Sequence, residues 1–204
     1  MNTVIKSAAA LAAAGLVWAG AAAAAPITGS LAFADGGAET GQSLLTRTSF
    51  NVPNATTQDA TVNFSAIGAG TPVAIGTFTI PLPVGATAAS NFTATFSGGQ
   101  FRAATVSRTD QSVAAGTGQE SITALFLGTF TPSGALAAFE PNAASVIANL
   151  NRSGSLGNFS IASAFTLAAP PSGSGGGNQT VPEPASLALL GLGLAGVGAL
   201  RRRV

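Results

Sequence analysis

Histidine, cysteine and tyrosine are absent from all 204 residues, and Met1, Lys6 and Trp18 are the sole methionine, lysine and tryptophan. Without His or Cys the chain has no Ser-His-Asp or Cys-His catalytic group, and no nitrogen or sulfur ligand set for zinc or redox iron. With Lys6 confined to the N-terminal end, there is no lysine for a phosphate-binding P-loop or a Schiff base. Disulfides are impossible, which says nothing about compartment, because exported and cytosolic proteins can both dispense with them. Charge is scarce as well: Asp, Glu, Lys and Arg make up 7% of the residues.

What is present is organised by the two ends. A short positive start at Met1 and Lys6 leads into an alanine-rich apolar run from Ala8 to Ala25, the pattern of a secretory signal peptide. Signal peptidase needs small residues before its cut and disfavours proline just after it. Ala22 and Ala24 therefore mark the expected site, with residues 1–24 removed and Pro26 kept off the new terminus. At the other end, Pro182-Glu183-Pro184 precedes an apolar run from Ala185 to Leu200 and the cluster Arg201-Arg202-Arg203. A run of roughly 16 residues gives about 24 Å of helix, a marginal span of a 30 Å hydrocarbon core that arginine snorkelling and bilayer thinning can accommodate. By the positive-inside rule the three arginines stay cytoplasmic and stop transfer, which leaves the body on the outer face of the inner membrane.

In that order, and at that distance from the C-terminus, the Pro-Glu-Pro triplet, the Leu/Gly/Ala helix and the arginine cluster resemble the PEP-CTERM sorting signal of Gram-negative bacteria. The resemblance implies recognition of Pro182, Glu183 and Pro184 by an exosortase, a membrane-embedded, cysteine-dependent enzyme that cuts near the triplet and releases or transfers the body. It also implies transient anchoring in the inner membrane with the body in the periplasm. A cell-surface or extracellular destination follows, typically among exopolysaccharide and biofilm components.

Setting both ends aside leaves Arg47, Arg102, Arg108 and Arg152 against six carboxylates, Asp35, Glu39, Asp59, Asp110, Glu120 and Glu140, a net charge of −2. The nominal +1 of the whole chain comes from the sorting ends. Four scattered arginines and no lysine give no electrostatic footprint for nucleic acid.

The body reads as β throughout. Residues alternate apolar and polar over Asn91–Ser97 and Asn158–Leu167, the period of strands with one buried face. Further strands are expected at Ile27–Ala34, Leu44–Phe50, Ala60–Ile67, Val73–Ile80, Phe101–Ser107, Ser121–Phe130 and Ser145–Leu150. Clusters of Gly, Pro, Asn and Asp separate them, and Gly98-Gly99 marks a hairpin. Ser121–Phe130, apolar on both faces, is expected as a central strand. About nine short strands with phenylalanine as the large core residue predict an all-β fold: a single β-sandwich over residues 25–168, with a jelly roll as the alternative. Residues 169–180, rich in Pro, Gly and Ser, form a linker ahead of the sorting signal at 181–204.

No residue pattern in the body announces chemistry, and no cofactor or metal is expected. A carboxylate pair, with Asp110 and Glu120 the candidates, would be the remaining route to glycan hydrolysis. Asp35-Gly36-Gly37-Ala38-Glu39 has too few carboxylates for a dedicated calcium loop and reads as a turn. The N-x-S/T triplets at Asn54, Asn63, Asn91, Asn151, Asn158 and Asn178 are what this Ser/Thr content produces by chance. Arg102 and Arg108, flanking one strand, could clamp an anionic sugar or pair weakly with Asp110 at the surface. The expectation is a non-enzymatic exported protein of the envelope or extracellular matrix, partnered by signal peptidase and exosortase. Alternatives are a carbohydrate-binding module for exopolysaccharide, which the lack of Trp and Tyr disfavours, and a carboxylate-dependent hydrolase.

Overall fold

A computed structural model describes residues 24–35, 43–114, 119–155 and 158–170. The chain divides into a unit ending at Ser172 and a second unit, 173–204, that lies outside the described residues. Among the described residues no helix is long and apolar enough to cross a membrane. The expected signal peptide with Ala22, the sorting triplet, the transmembrane helix and the terminal arginines all lie outside them, apart from Ala24, the first residue described.

The strands are β1 (Gly29–Asp35), β2 (Ser49–Phe50), β3 (Ala55–Ala60), β4 (Pro72–Ile75), β5 (Phe78–Thr79), β6 (Thr87–Ala89), β7 (Thr93–Phe96), β8 (Gly99–Ala114), β9 (Gln119–Pro132), β10 (Asn142–Ser155) and β11 (Asn158–Ala169). Nine of them form one sheet in the order β6-β8-β7-β4-β3-β1-β11-β10-β9, and β9 pairs again with β8. That last ladder makes an eight-stranded closed barrel, with β6 lying beside the middle of β8. The expected sandwich is therefore corrected: one sheet curls onto itself instead of two sheets facing each other. Alternation could not distinguish the two, because a sandwich strand and a barrel strand both bury every second residue.

Closure depends on β8. Its first residues pair with β7 and its middle with β6 on one side, while the whole strand pairs with β9 on the other. Register shifts at Ala103/Thr105 and Arg108/Asp110 bend it, the usual effect of an extra residue in one strand. Opposite the first shift stands Gly128, where a Cβ would collide with the carbonyl of Arg102. The predicted hairpin forms with Phe96 paired to Gly99, so the turn residues are Ser97-Gly98, one position earlier than expected.

Three predicted strands, Ala60–Ile67, Val73–Ile80 and Leu44–Phe50, are not strands as read. Val62–Ala66 is a 3-10 turn in which Val62 has φ 51°. It is pinned by Asn63, whose Oδ1 accepts from the backbone N–H and hydroxyl of Thr28 at 2.8 and 2.9 Å. Val73–Ile80 is split: β4 joins the barrel, while β5 pairs with β2 in a separate two-stranded ribbon. Leu44–Phe50 supplies only β2, at its end.

The ribbon fills the barrel. Phe50 and Phe78 are fully buried and stack at 5.8 Å. Phe78 also meets Phe92, Phe126 and Phe165 edge-on, at ring separations of 5.1 to 6.2 Å. These rings join one continuous apolar core, and Phe33 stacks on Phe165 at 5.1 Å. The wall makes room for them: Ala124, Ala148 and Phe165 are adjacent in register, so two methyl groups stand where larger side chains would meet the ribbon. At the other end the 3-10 turns 62–66 and 134–136 cover the barrel, with Phe64 edge-on to Phe130 at 5.3 Å.

Candidate functional site

An eight-stranded barrel has an interior wide enough to hold a small ligand, and here protein side chains occupy it. The cavity beside the ribbon, lined by Asp35, Phe50, Asn51, Val52, Leu150, Ile161 and Ser163, has about 10 Å³, room for a single water.

The chemistry inside the barrel is a charged cluster at the ribbon end. Inward positions of β8, β9 and β10 place Arg108, Glu120 and Arg152 there, and Glu120 and Arg152 are register partners. Arg152 Nη1 donates to Glu120 Oε1 at 3.1 Å, with both side chains 10% exposed. Glu120 Oε2 accepts from the Leu44 N–H at 2.5 Å. Arg108, fully buried, donates from Nη1 to the Leu45 carbonyl at 3.4 Å and from Nη2 to the Arg47 carbonyl at 3.1 Å. Its Nη1 also reaches Gln111 Oε1 at 3.4 Å, while its Nε finds no acceptor among the described residues. Burial pulls the Arg108 pKa below the ordinary arginine value, because desolvation disfavours the charged form. Glu120 and Arg108 thus bind residues 44–47, which run into β2. The cluster fastens the ribbon and leaves little of its hydrogen-bonding capacity for a ligand.

This arrangement corrects two sequence expectations. Arg102 is exposed on the outer face of β8 but Arg108 points inward, so the two cannot clamp one sugar. Nor do Asp110 and Glu120 form a catalytic pair. Asp110 is exposed opposite the outward Thr123, and its Oδ1 accepts from the next N–H at 2.8 Å, whereas Glu120 faces inward to Leu44 and Arg152. The barrel wall lies between the two carboxyls.

The remaining candidates scatter. Asp35 is buried at the inner end of β1, and residues 36–40, including Glu39, lie outside the described residues. No group of three or more His, Cys, Asp or Glu among the described residues is placed to hold a metal. Two triplet asparagines act locally: Asn63 pins its turn, and Asn91 bonds Thr77 and Thr79. Asn54 is exposed beside a groove of about 340 Å³ between residues 53–56 and 72–74. Sequence reasoning missed the inward arginines, although a signal was present. Val106 and Arg108 share one phase of β8, and Val146, Ala148, Leu150 and Arg152 share one phase of β10.

Comparison with known proteins gives one match. Residues 180–203 fit the family model described as the PEP-CTERM protein-sorting motif. No curated protein and no solved structure matches the chain.

Proposed function

For a chain that carries the PEP-CTERM protein-sorting motif at residues 180–203, we propose the role of a non-enzymatic building component of the bacterial extracellular matrix, delivered by exosortase. The motif itself implies export, transient membrane anchoring and processing by an exosortase. The finer reading adds signal-peptidase cleavage after Ala24, exosortase recognition of Pro182, Glu183 and Pro184, and retention of Arg201, Arg202 and Arg203 on the cytoplasmic side. The barrel is then left among exopolysaccharide and biofilm material.

The sorting motif is the observation that carries this proposal. A non-enzymatic role is supported by the filled interior and by the placing of Asp110 and Glu120 on opposite faces of the wall. Intact-mass analysis of the protein recovered from its native host tests the delivery. The expected mass begins at Ala25 and ends near residues 182–184. Recovery of chains still carrying Arg201–Arg203 from membranes, with no shorter species, would overturn it. Assay of the recovered body against the host's own polysaccharide tests the non-enzymatic part, and turnover would remove that part while leaving the sorting intact.

A further inference from the structure

We infer that Asp110 guards an open sheet edge, keeping the far end of β8 from adding a further strand. The edge follows from the ladders. β9 pairs with β8 along its whole length, but on the other side β8 is covered only as far as Arg108, by β7, β6 and the loop before β6. Past that point, among the described residues, only Asp110 meets the backbone of 109–113 on this side. The direction of the backbone there is set by β9, which runs beside β10 without a register shift. Arg108 donates its N–H to the Ala86 carbonyl at 3.3 Å and accepts from the Gly85 N–H at 2.8 Å, so both its groups face away from β9. Its register partner Ala124 then turns both of its own towards β10. Alternation along β9 gives Ile122 and Glu120 the same direction, and their partners Gln111 and Val113 therefore aim N–H and C=O at the open side. An unpaired row of this kind is a template for a strand from another chain.

Asp110 stands at the start of that row. Its Oδ1 accepts from the Gln111 N–H at 2.8 Å, the first outward amide past the covered stretch, so an incoming strand has to displace the carboxylate to use that donor. The side chain is exposed and charged, and a second copy of this edge would bring another Asp110 against it. The register shift at Arg108/Asp110 bends β8 at the same place, another way in which an edge is blunted. Val113 shows what the guard protects. It is β-branched, 55% exposed, and has outward backbone groups without a partner among the described residues, the properties of a residue that accepts a neighbouring strand.

The mature body, residues 25–180, contains every ladder of the ring and serves for the test. Hydrogen exchange, corrected for intrinsic rates, should find the Gln111 amide about fivefold slower than the Val113 amide, the effect of one net hydrogen bond. In sedimentation velocity the native body should show no association that Val113→Pro removes. Asp110→Val takes away both the acceptor and the charge, and its weight-average mass should rise with concentration while circular dichroism is unchanged. Adding Val113→Pro removes an outward N–H without costing a bond to β9, and should return the Asp110→Val body to a monomer. An Asp110→Val body that stays monomeric, or association that survives Val113→Pro, would overturn the inference. So would a native body that already associates and loses this in Val113→Pro, or equal exchange at Gln111 and Val113, a comparison that stands even if Asp110→Val does not fold. The guard needs neither exosortase nor the motif, so it and the proposed function can each fail alone.

Discussion

Arg108 is the residue on which sequence and structure part most sharply. Beside Thr109 and Asp110 it reads as a surface cation, yet it is fully buried and holds the carbonyls of Leu45 and Arg47. Its environment is set by residues some sixty positions earlier in the chain, which no local pattern reports. Arg108→Met keeps the volume but leaves both carbonyls without their donor, and should cost about 2–4 kcal/mol in urea denaturation. An unchanged midpoint would show that the guanidinium is not a fastener. Burial lowers the Arg108 pKa, so folding disfavours its charge wherever both states are protonated, and relief comes only in strong alkali as pH rises past the lowered folded-state value. Comparing pH 6 with pH 9, the Arg108→Met loss should be the same. Glu120→Gln keeps an acceptor for Arg152 but turns an amide towards the Leu44 N–H or loses that bond, and about 1–3 kcal/mol should go.

Among the elements, the β2–β5 ribbon has no barrel ladder of its own and is held by rings and by the charged cluster. Phe78 touches four other rings, so Phe78→Ala should cost about 3–5 kcal/mol, read as a lowered denaturation midpoint. A loss below about 1 kcal/mol would mean that the ribbon collapses into the space without penalty. β11 was legible through its alternation and β9 as a run apolar on both faces, whereas β8, the longest strand, was read only over Phe101–Ser107 because its polar far half, Arg108–Ser112, carries no apolar period. β4 and β5 were read as one strand because Val73–Ile80 is apolar enough throughout. Only tertiary pairing separates the half that joins the wall from the half that enters the core. The segment around Phe64 alternates like a strand, but Asn63 spends its side chain on Thr28 and tightens the backbone into a turn. The hairpin before β8 was legible because a glycine turn is a local property. The sorting signal was legible for the same reason, since its recognition is linear.

For the whole molecule, all-β character follows from composition and period, whereas the closed ring depends on β8 finding β9 on one side while β7 and β6 share the other. Ring closure predicts a gradient of protection in hydrogen exchange. Amides of β9 and β10, flanked by partners on both sides, should exchange slowest, and those of β6, which pairs with β8 alone, fastest. Equal rates across the two sets would contradict the closed ring. In the ring the first barrel strand and the last are neighbours, with Gly29 opposite Ala169. A chain threaded through a membrane from its N-terminus therefore delivers β1 long before the strand that must lie against it. The ladder that completes β1 waits for residues 158–169, the stretch that emerges just ahead of the sorting signal. Under the proposed route of export the ring can close only after nearly all of the body has crossed, with the sorting motif of residues 180–203 next in line.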